Sequence, residues 1–327
     1  MMPLLKPTPS RLNLTTKSPW IKRYLDYRIF LKSIRTMTEP LPDLPAIERL
    51  SPRVIRILGG NPSKFTLQGT NTYLVGQGRK RILIDTGEGK TVWRESLGRV
   101  LWEEKAEIEA VVLTHWHGDH VGGVQDALAL SPKARVYKSQ LSPSEFAGRR
   151  QEDIVHGQVF ECEGAVLRAF HSPGHTVDHM ALVLQDEDAM FTGDNVLGHG
   201  TAVFEDLAAY MSSLEGMKEQ FSGRAYPAHG APIADGPAKI REYIAHRQER
   251  EDQVLAVLKG EERPEGERDV EGWRSMAMVR IIYREYPENL HGPAEGSLLQ
   301  VLRKMELDGR VRRCGDGSWR LVERAAL

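Results

Sequence analysis

Apolar positions along this chain fall first into short runs separated by turn residues and later into longer stretches of helical period. Val54–Leu58, Asn71–Val75 and Arg81–Asp85 read as strands between glycine-bearing turns. Thr91–Glu103 predicts a helix, and the largely apolar run Ile108–Leu113 another strand. A further helix is expected to begin near Val121-Gly122-Gly123. Strands then follow at Gln158–Phe160, Val166–Phe170, Met180–Leu184 and Met190–Thr192, with helices at Glu205–Glu219 and Pro237–Lys259. By itself the pattern establishes only a fold that mixes α and β.

The pattern changes character near the C-terminus. Gly260–Gly272 is charged, bears glycine and proline, and lacks apolar periodicity, which reads as a surface linker. Beyond it, Ser275–Tyr286 predicts an amphipathic helix. Pro293–Leu307 predicts a second, with Leu298, Leu299, Leu302 and Met305 on one stripe and Gly309 as its stop. Arg310–Arg313 and Ser318–Val322 flank Gly315-Asp316-Gly317 as a hairpin would. Helix, helix, hairpin is winged-helix-like. Arg303, Lys304, Arg310, Arg312, Arg313, Arg320 and Arg324 make a local basic cluster there. It reads as a solvated face of a capping domain or as a nucleic-acid surface. The division is therefore a basic extension at 1–44, a catalytic domain at 45–259, a linker at 260–272 and a winged-helix-like domain at 273–327.

Charge alters this picture only at the N-terminus. The chain of 327 residues has a formal net charge of −1, so nothing global marks it for nucleic acid or an anionic membrane. No stretch approaches the roughly 18 apolar residues of a membrane span. Cys162 and Cys314 lie far apart and outside any ligand spacing, as reduced thiols of an intracellular protein would. Before residue 39, Lys6, Arg11, Lys17, Lys22, Arg23, Arg28, Lys32 and Arg35 face one acid, Asp26. Such a start reads as a disordered extension ahead of Met37 in a cytoplasmic protein, or as a mitochondrial transit segment.

The candidate chemistry sits at strand ends. Thr114-His115-Trp116-His117-Gly118-Asp119-His120 places three imidazoles and a carboxylate directly after the run Ile108–Leu113. Imidazole and carboxylate suit zinc, and a short loop at a strand end can aim such ligands at two ions. Downstream, Pro173-Gly174 sets a tight turn that presents His175. Asp194 follows the run Ala189–Thr192, His229 follows Arg224–Ala228, and Asp85 ends an earlier strand.

This order of motifs resembles the metallo-β-lactamase-fold hydrolases over nearly all of residues 45–327. The resemblance implies an α/β fold, the αββα sandwich, carrying the small C-terminal winged-helix-like domain. It makes His115, His117 and His175 ligands of one zinc and Asp119, His120 and His229 ligands of a second, with Asp194 bridging them. Asp119 is also the candidate catalytic residue, and Asp85 is expected to support the site from behind its ligands. His117, where the iron-binding flavoprotein branch carries Glu, argues against that branch.

Two branches compete for the substrate. Phe191–Leu207 and Gly59–Tyr73 look most like the lactamase-like thioesterases that release an aromatic polyketide from the acyl carrier protein of fungal non-reducing polyketide synthases. The turn Gln68–Thr72, Pro287–His291 and the winged-helix tail are similar to the mitochondrial lactamase-β-like endoribonuclease, which cuts single-stranded RNA. Glyoxalase II is a more distant likeness. The thioesterase is the expected function, with an acyl carrier protein as partner, no membrane, and nucleic acid only on the ribonuclease reading. Among the remaining histidines, His156, His171, His246 and His291 read as structural. His179 is balanced between a supporting role and a substrate-facing one, and His199 is placed towards the pocket.

Overall fold

The computed structural model describes residues 41–141, 151–260 and 271–322. The basic extension up to residue 40, most of the predicted linker (261–270) and Arg324 lie outside the described residues. Six strands form the first sheet in chain order: β1 (Ile47–Arg49), β2 (Val54–Leu58), β3 (Asn71–Val75), β4 (Lys80–Ile84), β5 (Glu107–Val112) and β6 (Arg135–Tyr137). The first four pair as an antiparallel meander. The pairs β4–β5 and β5–β6 are parallel, so their connections must cross over the sheet. Helix α1 (Thr91–Glu103) makes the first crossover; α2 (Gly118–Val121) and α3 (Val124–Leu130) make the second.

The second sheet has the order β11-β10-β9-β8-β7, from β7 (Val159–Cys162), β8 (Ala165–His171), β9 (Met180–Leu184), β10 (Ala189–Gly193) and β11 (Ala225–Pro227). Only β10–β11 is parallel, and α4 (Leu207–Lys218) lies in its crossover. Helix α5 (Gly236–Leu258) follows. The C-terminal part contains α6 (Ser275–Ile282), α7 (His291–Leu307) and the hairpin β12 (Val311–Arg313)–β13 (Trp319–Leu321).

Strand alternation sorts the core into three layers. Tyr73, Val75, Ile82, Ile84, Leu167, Met180, Leu182 and Leu184 meet between the two sheets. Their neighbours Leu74 and Leu83 face outward onto Trp93, Leu97 and Val100 of α1. Ala181 and Val183 face the other way, onto Leu214 of α4 and Ile240 of α5. That outer layer continues without a break into Met278 of α6, Leu302 of α7 and Trp319 of the hairpin. This is the expected αββα sandwich with its winged-helix appendage.

Several boundaries differ from the expectation for local reasons. The strand predicted to reach Asp85 stops at Ile84, because Asp85 adopts φ 57° and leaves the ladder. The helix expected near Val121 starts earlier, at Gly118, and is broken at Gly122 and Gly123. A Cβ at Gly123 would stand 2.1 Å from the Thr86 carbonyl oxygen, so only glycine permits that approach. The predicted helix Ser275–Tyr286 ends at Ile282, and α7 begins two residues before Pro293. Strands β1 and β6 went unpredicted: each has three residues, too few to show a period.

Candidate active site

The loop after β5 is anchored before its ligands begin. Thr114 donates its backbone N–H to Asp85 Oδ1 (2.8 Å) and its hydroxyl to Oδ2 (2.9 Å), and accepts at its carbonyl from Met180 N–H (2.8 Å). One residue thus ties the loop to both sheets. Asp85 Oδ2 also meets His120 Nδ1 at 2.9 Å, which turns Nε2 of that ring towards the site. The positive φ of this buried aspartate is backbone strain held by those three contacts. The expected supporting role of Asp85 is therefore visible as geometry.

Other elements bring the remaining candidates to the same place. Gly174, at φ 134°, packs so tightly on α4 that a Cβ would lie 2.3 Å from Tyr210 Cα. Its turn aims His175, whose Nδ1 donates to the Val203 carbonyl at 2.9 Å. Asp194 follows β10, and its backbone N–H donates to His179 Nε2 at 3.1 Å. His229 follows β11 and bridges to Thr70. Asn71 fixes that turn by donating its side-chain amide to the carbonyls of Pro227 and Gly230, both at 2.8 Å.

All seven predicted ligands converge as two donor groups, His115, His117, His175 and Asp194 beside Asp119, His120 and His229. Within each, the candidate ligand atoms lie no more than 4.8 Å apart. Nε2 of His115 and of His175 stand 3.0 and 3.1 Å from His117 Nδ1. Asp194 links the groups, with Oδ2 3.5 Å from His175 Nε2 and Oδ1 3.2 Å from His229 Nε2. Asp119 Oδ2 lies 3.4 Å from His120 Nε2 and 3.3 Å from His229 Nε2.

Electrostatics favour a cation here. Burial, followed by the charge of His120, drives the His115 imidazole well below its ordinary range. Burial and His175 push His117 down as well. Neutral imidazoles offer lone pairs, as metal ligands must. Burial alone would raise the Asp194 carboxyl, but His229 and His120 outweigh it and hold Asp194 ionised. Asp119 is likewise held down, by the His120 and His229 imidazoles beside its carboxylate, which overcome burial. Burial would lower His229, yet Asp194 and Asp119 bring it up to about 9. His120 Nε2 and Asp194 Oδ1 are buried with no hydrogen-bond partner among the described residues. Such atoms are costly unless something coordinates them, and a divalent ion would satisfy both.

Four supporting residues escaped the sequence reading or were left open by it. His179 is fully buried and takes no place among the donors. Its Nδ1 pairs with Ser172 Oγ at 2.9 Å while Nε2 carries the Asp194 backbone, so it is a support. Asp178 and Lys138 form a fully buried ion pair at 2.7 Å, and Asp178 accepts the Thr176 hydroxyl beside His175. Asn71 acts on a turn 156 residues away. No single-sequence pattern encodes these pairings. His171 donates to the Val177 carbonyl (2.9 Å) and His291 to that of Tyr283 (3.2 Å), as structural histidines do. His199 is half-buried in the loop after Asp194 and joins neither donor group.

Two facing sheets between helices, with seven convergent donors at strand ends, define a metal-dependent hydrolase. Residues 65–229 match the Metallo-beta-lactamase superfamily, and 275–319 the Beta-lactamase associated winged helix domain. The chain belongs to the metallo-β-lactamase superfamily. An Aspergillus chevalieri protein named atrochrysone carboxyl ACP thioesterase is 47% identical over 83% of this chain and 86% of its own length. One of the same name from Claviceps purpurea is 41% identical over 93% of this chain and 97% of its own. A solved β-lactamase domain protein from Burkholderia ambifaria superposes with a TM-score of 0.67 at 18% identity, covering 88% of this chain and 96% of that one. That likeness carries the fold.

Proposed function

We propose that this chain is a dizinc thioesterase that releases an aromatic polyketide from an acyl carrier protein of a non-reducing polyketide synthase. The metal ligands are His115, His117 and His175 on one side, Asp119, His120 and His229 on the other, and Asp194 between. The observation that carries the metal chemistry is the pair of donor groups meeting at Asp194 with buried, unsatisfied His120 Nε2 and Asp194 Oδ1. The thioester is supported by relatives named as thioesterases at 47 and 41% identity. Bound zinc ions supply a water of lowered pKa and polarise the scissile carbonyl.

The chain's own groups do the rest. Asp119, ionised and only partly buried, accepts the proton of the attacking water. The water oxygen bonds to the thioester carbon and the C–S bond breaks; the thiolate takes up a proton from solvent, Asp119 and the new carboxylic acid each release one, and the products are a carboxylate and a thiol. A thiolate leaves without a general acid, and no further acid stands among the donors. Trp116, Val177 and Val203, exposed by 39, 51 and 66%, are apolar side chains that each lie within two residues of a donor or in the loop bonded to one. The ribonuclease reading loses support from the C-terminal cluster. Lys304 and Arg310 are both already engaged by the buried Glu251, at 2.8 and 2.6 Å.

Incubating metal-loaded protein with an aromatic acyl-carrier-protein thioester and, separately, with single-stranded RNA tests the proposal. Free thiol and carboxylate from the first, without cleavage of the second, is the expected result. RNA cleavage without thioester turnover would overturn it.

A further inference from the structure

A cavity of about 200 Å³ lies between α5, the loop before α4 and the C-terminal helices α6 and α7. Its apolar walls are Leu207, Val254, Ile282, Leu298 and Val301, and its aromatic faces are Phe204 and Tyr283. Arg247 and Arg250 line it as well. They are three residues apart on α5 and so share a face. Arg247 lies 4.7 Å over the Phe204 ring and donates to the Ala202 carbonyl at 2.8 Å; Arg250 lies 5.4 Å over Tyr283 and donates to Gln253 Oε1 at 2.9 Å. Among the described residues neither guanidinium pairs with a carboxylate, and the lining contains no acid.

The same helix shows what pairing looks like. Glu251, one position from Arg250 but on another face, is enclosed by Lys304 and Arg310. Enclosed charges are ordinarily paired, and here the missing partner would be an anion. Most of its lining is apolar or aromatic, and a cavity of roughly 150 Å³ is already large enough for a benzene ring. A guanidinium fork binds a carboxylate bidentately, and its face stacks on aromatic rings.

We propose that this cavity is a binding site for an aromatic carboxylate, with the ring among Phe204, Tyr283 and the aliphatic walls and the carboxylate on Arg250 and Arg247. The inference rests on the thioesterase reading in one respect: hydrolysis of an aromatic thioester yields a ligand of this class. The site is next to the catalytic centre without being part of it. Phe204 follows Val203, whose carbonyl braces His175. An occupant pressing on Phe204 would therefore touch the loop that orients a metal ligand, which makes the site a route for product to act on the enzyme.

Calorimetric titration of the full chain with 2-naphthoate tests the proposal, with methyl 2-naphthoate as the uncharged control. Wild-type protein is expected to bind the carboxylate and to bind the ester at least about tenfold more weakly, the scale of a lost charge-assisted contact. Arg250→Gln, a substitution at a half-buried side chain outside the catalytic centre, is expected to weaken binding by a similar factor. Ser297→Trp, at an exposed position on the rim, should block binding while leaving the fold untouched. No binding to wild-type protein, or equal affinity in both variants, would overturn the site. Binding is read without any thioester present. Failure of thioester turnover in protein that binds naphthoate would thus count against the proposed function alone, and active protein that does not bind against this inference alone.

Discussion

The loop Thr114–His120 and the basic C-terminal end of the chain each concentrate charged or titratable side chains, and the fold treats them oppositely. At the loop, His175, Asp194 and His229 from three other segments converge with its own four donors, and His120 Nε2 and Asp194 Oδ1 are left without hydrogen-bond partners. At the C-terminus, Lys304 and Arg310 fold back on Glu251, while Arg303, Arg312 and Arg313 remain solvated. A cluster is functional when its atoms converge and stay unsatisfied. It is structural when a buried partner has claimed them.

The sharpest way to break this contrast is to remove a converging atom. Asp119→Ala or His120→Ala is expected to lower kcat/KM by at least about a thousandfold, since the metal centre accounts for several kcal/mol of transition-state stabilisation. Circular dichroism should show the fold retained, because Asp119 and His120 lie in the short helix α2 and face the polar site, outside the three apolar layers. Wild-type turnover in either variant would remove the loop from the site.

Glu251→Gln probes the other side. It removes the buried carboxylate that pairs two part-buried cations and is expected to destabilise the protein by about 2–3 kcal/mol, read as a lowered midpoint in urea. An unchanged midpoint would mean that the two cations are no more engaged than their exposed neighbours.

A smaller effect is expected from Asp85→Asn, which keeps the shape but weakens the hold on His120 Nδ1. Metal affinity should fall by about 10–100-fold, measured by competition with a chelator. Titration of the metal with unaltered affinity would make Asp85 a purely structural residue.

His246 gives the pH dependence. Burial, then the neighbouring Arg247 and Arg250, push its imidazole down from 6.5 to about 4. Between those values the unfolded chain binds the proton and the folded chain does not, so stability is lost as pH falls from 6.5 towards 4 and is constant in this respect above. His246→Gln should flatten that part of the pH–Tm curve relative to wild type. Parallel curves would show that His246 is not the group responsible.

The smallest change is expected from charge reversal at Arg312 and Arg313. On the thioesterase reading it should leave acyl release nearly intact apart from a salt-sensitive effect on docking an acidic carrier protein. Strong, salt-steep RNA binding by wild type that collapses in the double variant would instead make these exposed arginines a phosphate-binding surface.

The fold was legible where periods were long. Helix Thr91–Glu103 and strands Val54–Leu58, Asn71–Val75 and Met180–Leu184 appear at the residues the pattern predicts. It was illegible at β1 and β6, three residues each, and at the break between α2 and α3. That break depends on how closely Gly123 approaches the Thr86 carbonyl, a distance no local pattern contains. The site divides in the same way. His115, His117, Asp119 and His120 are named by their spacing alone. His179, Lys138, Asp178 and Asn71 act on them through contacts between distant segments.

By itself the sequence determined the kind of donor available, because imidazole and carboxylate are metal ligands by type, and a fold that mixes α and β; the αββα class entered through the family resemblance that the order of those motifs carries. Tertiary structure alone decided which charges are engaged. Lys304, Arg310, Arg247 and Arg250 are the same kind of residue in the chain, yet the first two enclose Glu251 and the last two line a cavity without an acid. The reason is physical: a charge is satisfied or left open by what packs within a few ångströms of it, and those neighbours come from segments that local sequence patterns do not connect.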